Sequence, residues 1–139
     1  MDAAPLSSLL TELFTAIQLV SSYGLPARMP EVHFVSHEFI QDKFCNGPCR
    51  VRAAYQPETG VYIDERLDVV RDSYERSILV HELVHHLQAT SGLFDANMSE
   101  CERATRDERE AYDIQNRYLY SVKDSRRFPL PRFSPRCGG

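Results

Sequence analysis

No stretch of these 139 residues is apolar for long enough to cross a bilayer. The nearest candidate, Leu9 to Val20, is broken by Thr11, Glu12, Thr15 and Gln18, whereas a span needs about 20 apolar residues. No positively charged stretch precedes that segment, so it does not read as a secretory signal. Positive charge is not in excess either: the formal net charge is −4 and the pI about 5.7. A chain that grips phosphate backbones is usually basic, so no nucleic-acid partner is expected. No repeat period is present, which excludes fibres and solenoids. Cysteine is scarce, with four residues, Cys45, Cys49, Cys101 and Cys137.

Those four permit two disulfides. The turn Cys45-Asn46-Gly47-Pro48-Cys49 suits a local bridge, which would leave Cys101 with Cys137. Four reduced thiols are equally open. A four-cysteine zinc site fits poorly, because the paired two-residue spacing is absent. The expected compartment is the cytoplasm or, if the chain is a mature form carrying disulfides, the periplasm or the exterior.

Hydrophobic content of 42% and charged content of 26% are ordinary for a folded globule. The length suits one domain that needs no covalent staple. Leu6, Leu9, Leu10, Leu13, Phe14, Ile17 and Val20 recur at helical spacing, which predicts an N-terminal helix ending near Tyr23-Gly24. Pro30 opens a strand through Val32, Phe34 and Val35, with His33 facing solvent. Arg50–Tyr55, a turn at Gln56–Gly60, and Val61–Ile63 predict a β-hairpin. Asp72-Ser73-Tyr74-Glu75 and Ser99-Glu100-Cys101-Glu102 each have capping-box spacing, so two long helices should start there. The first should end near Ser91, before Gly92, and the second near Val122. From Arg126 onward, three prolines and four arginines predict an irregular tail on the surface or hanging free. The fold class is therefore α+β: an N-terminal helix, a small and mostly antiparallel sheet, and two long helices. Residues 1–125 form the domain and 126–139 the tail.

The first long helix carries His81-Glu82-Leu83-Val84-His85. Two histidines four apart lie about 40° apart around a helix, so both rings can reach one metal ion. Glu82, beside the first, can take a proton from a metal-bound water. With five His and eleven Glu in the chain, random composition yields this pattern in roughly one chain in a hundred. Ile78, Leu79, Val80, Leu83, Val84 and Leu87 surround the helix, so it should be buried. Burying these polar groups without a partner is costly, and a metal removes the cost.

Zinc in such sites takes a third protein ligand. No histidine follows His86, so a carboxylate on the next helix is the candidate. Ala104, Ala111, Ile114, Tyr118 and Val122 mark its expected buried face. Glu108 lies about 60° from the centre of that face and Glu110 about 100° away on the other side. Glu108 is preferred, and Glu110 stays open. His86 points about 140° from His81 and is read as packing. His37 is read as solvated. Gln115 shares the face of Glu108 and is either a ligand-orienting amide or a core-edge group.

The His81-Glu82-x-x-His85 helix, followed by Glu108-Arg109-Glu110-Ala111, resembles the gluzincin metallopeptidases, and in size their compact minigluzincin members. The similarity covers about residues 30–122. Glu108 and Ala111 match the family's second motif, and Tyr112 stands where that motif carries Asp. A tyrosine there would support His81 through its hydroxyl. The resemblance implies a zincin-like fold and a zinc-dependent hydrolase cleaving peptide bonds. Zn2+ would sit on His81, His85 and Glu108, with Glu82 as general base. It also implies an edge strand, Ala53–Tyr55 or Val61–Ile63, that pairs with substrate, and an oxyanion stabiliser among Tyr112, Tyr118 and Tyr55. The expected partner is a peptide or protein substrate. The alternative is a non-catalytic zinc-binding or interaction module on the same fold. A third possibility is a hydrolase for another amide, such as a cell-wall cross-link.

Overall fold

The computed structural model describes residues 3–91 and 97–131. In chain order these form α1 (Ala3–Val20), β1 (Val32–Val35), α2 (His37–Phe44), β2 (Ala53–Gln56), β3 (Gly60–Asp64), α3 (Ser73–Thr90) and α4 (Glu100–Ser121). The class is α+β, as the sequence implies. Among the described residues no helix is long and apolar enough to cross a membrane.

The sheet has the order β1-β3-β2. β2 and β3 form the expected antiparallel hairpin, but β1 pairs with β3 in parallel. The sheet is thus mixed, not mostly antiparallel. The reason is an element the sequence reading missed. α2 carries the chain away after β1, so that it returns to the sheet on the far side of the central strand. α2 has only eight residues and one fully buried side chain, Ile40, too few to show a period. Its visible signal was Ser36, whose hydroxyl caps it by accepting from Phe39 N.

β3 is buried along its whole length, because helices cover both faces of the sheet. Val61 and Ile63 join the main core with Leu79, Val80, Leu83 and Val84 of α3. Tyr62 points the other way and packs against Phe39 and Phe44 of α2. α1 closes the core with Leu10, Leu13, Phe14 and Ile17. α4 contributes Ala111, Ile114, Tyr118 and Leu119. Ala104 and Val122, expected inside, are exposed, because they lie near the two ends of α4, beyond its packed middle.

Several local readings change. Asp72 caps α3 by accepting from Tyr74 N and Glu75 N. Glu75 does not close a box, because its carboxylate takes Asp68 N and Arg52 instead. His33 is only partly exposed; it stacks on Tyr62 and its Nε2 donates to Thr59 O at 2.8 Å. His37 is not simply solvated. Its Nδ1 lies 3.1 Å from Asp64 Oδ2 and its Nε2 lies 2.9 Å from Cys49 O. Asp64 is buried, and its hydrogen bonds from Arg66, aided by His37, hold its pKa at about 2 against the opposing effect of burial. Cys45 and Cys49 form the local disulfide. Cys137 and Gly92 lie outside the described residues.

α4 ends on Val122, and Lys123 follows with φ 61°. Asp124 N donates to Leu119 O at 2.9 Å and Lys123 N to Tyr120 O at 3.1 Å, the pair of bonds that closes a helix through a left-handed residue. A side chain there costs about 1 kcal/mol that glycine does not. Lys123→Gly is therefore expected to stabilise the chain by up to about 1 kcal/mol, less the extra freedom glycine gives the unfolded state. A higher denaturant midpoint at unchanged slope would show it.

The turn aims the following residues back along the two long helices. Asp124 accepts from Ser73 Oγ at 2.6 Å. Asn116 clamps Phe128 through two hydrogen bonds of 2.8 Å, to its N–H and its carbonyl. The Phe128 ring stacks on Tyr74 at 4.6 Å. Residues 124–131 are irregular, as expected, but form a strap held to the surface rather than a free end.

Candidate metal site

α3 and α4 pack directly against each other beside the hairpin. Their contact creates a cleft of ≈ 620 Å³. Ile78, His81, Glu82 and His85 of α3 line it, Glu108, Tyr112 and Gln115 of α4 form one wall, and Arg50 to Tyr55 the other. Phe128 of the strap also faces it. β2 runs in the same sense as α3, because Arg52 pairs with Glu75 near the start of the helix and Tyr55 reaches His86 near its end.

The two imidazoles meet. His81 Nε2 and His85 Nε2 lie 3.2 Å apart. Glu108 Oε1 lies 3.3 Å from the first and 2.5 Å from the second. These three residues form a group able to hold a metal ion, with ligand atoms within 4.8 Å of one another. Donors around a tetrahedral zinc lie about 3.3 Å apart, given zinc–nitrogen distances of about 2.0–2.1 Å. Two of the three separations match that edge. The short third is the ion pair the two side chains make with each other.

The remaining ring nitrogens decide which atoms are free to bind. His81 Nδ1 lies 2.9 Å from Gln115 Oε1, and Gln115 Nε2 donates to Ser77 Oγ at 3.1 Å. Ser77 Oγ in turn donates to Tyr74 O at 2.6 Å. That chain leaves only the amide oxygen of Gln115 to face the imidazole, so His81 Nδ1 carries the hydrogen. His85 Nδ1 lies 2.7 Å from Gln88 Oε1, and Gln88 Nε2 donates to Asp107 O at 2.8 Å. A carbonyl can only accept, which fixes the Gln88 amide in the same way. Both rings are thus oriented with Nε2 facing the shared point, the arrangement metal-ligating histidines require.

Glu110, left open as the alternative ligand, is elsewhere. It accepts from Gln88 and from the Tyr23 hydroxyl. Burial and that contact with Glu110 push the Tyr23 phenol well above its usual range. His86 is buried as packing, with Nε2 2.7 Å from Arg28 O and Nδ1 3.0 Å from Tyr55 OH. Of the three oxyanion candidates, Tyr118 lies outside the cleft, where its hydroxyl accepts from Arg76 Nε at 2.6 Å. Tyr55 is engaged by His86. Tyr112 lies in the cleft with its ring 4.3 Å from that of His81. Among the described residues its hydroxyl makes no hydrogen bond to His81, contrary to what the resemblance implies, because Gln115 takes His81 Nδ1.

Glu82 is buried at 7% exposure yet lines the cleft. Among the described residues its carboxylate takes no hydrogen bond. Burial raises its pKa above the ordinary carboxylate value, opposed by His81 and His85 and reinforced by Glu108. Residues 2–128 match the family described as "Domain of unknown function (DUF6647)". The chain belongs to that family. No curated protein and no solved structure matches it.

In this DUF6647 domain the charges of the site are coupled. Burial disfavours the His85 imidazolium, but the hydrogen bond and charge of Glu108, with the charge of Glu82, outweigh it and raise the pKa to about 9. Burial likewise works against the Glu108 carboxylate, and the two histidines reverse that and hold it below the usual range. These are one ion pair seen from two sides. The His85 contribution to stability is complete below its unfolded value of 6.5 and is lost as pH rises through about 9. The Glu108 contribution is present above 4.5 and lost as pH falls. Glu108 is half exposed, so the pair is worth on the order of 1–2 kcal/mol. Denaturant midpoints in chelator should therefore decline from pH 6.5 to 9, and Glu108→Gln should flatten the decline. A metal ion bound at Nε2 would have to displace the His85 proton, so its affinity should fall about tenfold per pH unit below the His85 pKa.

Sequence reading missed Gln88, Ser77, Tyr23 and Phe128. Gln88 had a signal, since it follows His85 by three residues on one helix face. Tyr23 and Phe128 had none, because their contacts cross from distant segments.

Proposed function

We propose that this chain is a zinc-dependent hydrolase that cleaves peptide bonds, with the zincin-like architecture of a compact gluzincin. The observation that carries this reading is the convergence of His81 Nε2, His85 Nε2 and Glu108 Oε1, with both Nδ1 atoms already committed to amide oxygens. Nitrogen and carboxylate donors with one position open suit catalytic zinc. Zinc bound there would supply Lewis acidity toward a carbonyl and lower the pKa of a bound water.

The chain's own residues supply the rest. Glu82 is placed to take a proton and later pass it to the leaving amine, and its raised pKa brings it nearer to the working pH of such a base. Tyr112 is placed to donate its hydroxyl to a developing oxyanion. β2 holds the substrate backbone. It is the edge of the sheet, whereas Val61–Ile63 is central and paired on both sides. Arg52 O accepts from Asp64 N, so by alternation the backbone groups of Ala53 and Tyr55 point away from β3. An extended peptide can add there as a further strand. Phe128, Tyr112 and Ile78 offer apolar surface near the start of α3.

The test is cleavage of a fluorogenic peptide library by the purified, zinc-loaded chain. Activity that chelator abolishes and zinc restores is the expected result. A chain that binds zinc but cleaves nothing would favour the non-catalytic module. Cleavage confined to muropeptides would favour the cell-wall hydrolase.

A further inference from the structure

We infer that Gln88 is a positioning residue for His85, fixed from behind by Glu110 and Tyr23. The inference rests on the metal-binding reading above and extends it to residues outside the ligand set. Three separate parts of the chain meet in this relay: the segment after α1, the end of α3, and α4. Tyr23 donates its hydroxyl to Glu110 Oε1. The same oxygen accepts from Gln88 Nε2 at 3.0 Å. Gln88 Nε2 also donates to the Asp107 carbonyl at 2.8 Å. Both hydrogens of the amide are thereby used, and Oε1 is held 2.7 Å from His85 Nδ1.

The consequence for the ring follows from donor and acceptor capacity. An amide oxygen cannot donate, so Nδ1 must. Once a metal has displaced the proton that Nε2 shares with Glu108, the lone pair of Nε2 is the ring's one acceptor, and it faces His81 and Glu108. Without Gln88 the ring can rotate or take the other tautomer, and its affinity for a metal drops. Outer partners of metal-bound histidines typically contribute about 10–100-fold to metal affinity. His81 has its own relay through Gln115 and Ser77, so loss of Gln88 should disturb one ligand and spare the other.

The relay also predicts which replacements cancel. Gln88→Glu keeps an oxygen toward His85 but sets a carboxylate against both Glu110 and the Asp107 carbonyl, with no donor between them. Adding Glu110→Gln restores a donor on the other side of that contact. The order of charge is reversed while the hydrogen bond to the imidazole is kept.

Zinc affinity is measured by competition with a chromogenic chelator for the full chain and its Gln88→Ala, Gln88→Glu and Gln88→Glu/Glu110→Gln variants. Cobalt-substituted visible spectra are recorded for each. The expected result is about 10–100-fold weaker zinc binding in both single variants. The double variant should recover part of that loss, since the Asp107 carbonyl still faces an oxygen. The cobalt bands should shift in Gln88→Ala and recover in part in the double variant, which a merely structural role would not produce. Unchanged affinity in Gln88→Ala overturns the inference. So does a double variant no better than Gln88→Glu, a comparison that still decides if the alanine variant does not fold. If the unaltered chain takes up no zinc, the metal-binding reading falls and this inference with it. Normal uptake with indifferent variants sinks only the relay.

Discussion

Glu82→Gln is expected to keep its zinc and lose about 10²–10⁴-fold in turnover, the usual contribution of a positioned base. The substitution removes the carboxylate and leaves shape and volume nearly unchanged. Glu82 takes no hydrogen bond from the described residues, so no structural bond is lost with it. The variant should also be no less stable than the parent, because a buried charge of raised pKa gives way to a neutral amide. Zinc content by elemental analysis and peptide cleavage by fluorescence are the two readouts. Full zinc with undiminished cleavage would remove Glu82 from the mechanism. Loss of both would mean that the residue serves the site's architecture.

The second large effect is at the third ligand. Glu108→Ala should abolish zinc binding at micromolar metal, whereas Glu110→Ala should leave it measurable and weaker by about 10–100-fold. The difference follows from position. Glu108 meets both imidazoles directly, at 2.5 and 3.3 Å. Glu110 faces away and acts only through Gln88. Glu108→Ala also leaves two imidazoles 3.2 Å apart without the carboxylate that contacts both, which should return the His85 pKa toward its ordinary value. Isothermal titration with zinc, alongside an NMR titration of the imidazole signals, would test both parts. Equal losses in the two variants would contradict the assignment.

The features legible in the sequence were those that local spacing dictates. Two histidines four apart, two caps and a run of core positions place α3 and α4, and their phase favours Glu108 over Glu110. Glu108 against Glu110 was a matter of preference because a carboxylate about 100° from a helix's buried centre can still reach inward. The packing of Gln88 and Tyr23 against Glu110 is what turns it outward, and that contact joins residues far apart in sequence. Gln115 was read in two ways for the same reason. Its role depends on Ser77, a small residue with no motif of its own. α2 and the parallel pairing of β1 escaped because neither leaves a period. The strap was readable as irregular and as either on the surface or free, and Asn116 gives no sign in sequence that it will clamp Phe128.

Among the described residues no strand pairs with the outer rim of β2, and that carries a cost the site cannot shed. Ala53 and Tyr55 offer their amides to whatever extended backbone arrives first, and another copy of the chain presents the same row. Crowding and an extended peptide would therefore compete for one set of hydrogen bonds, and neighbours that zip together would shut both clefts.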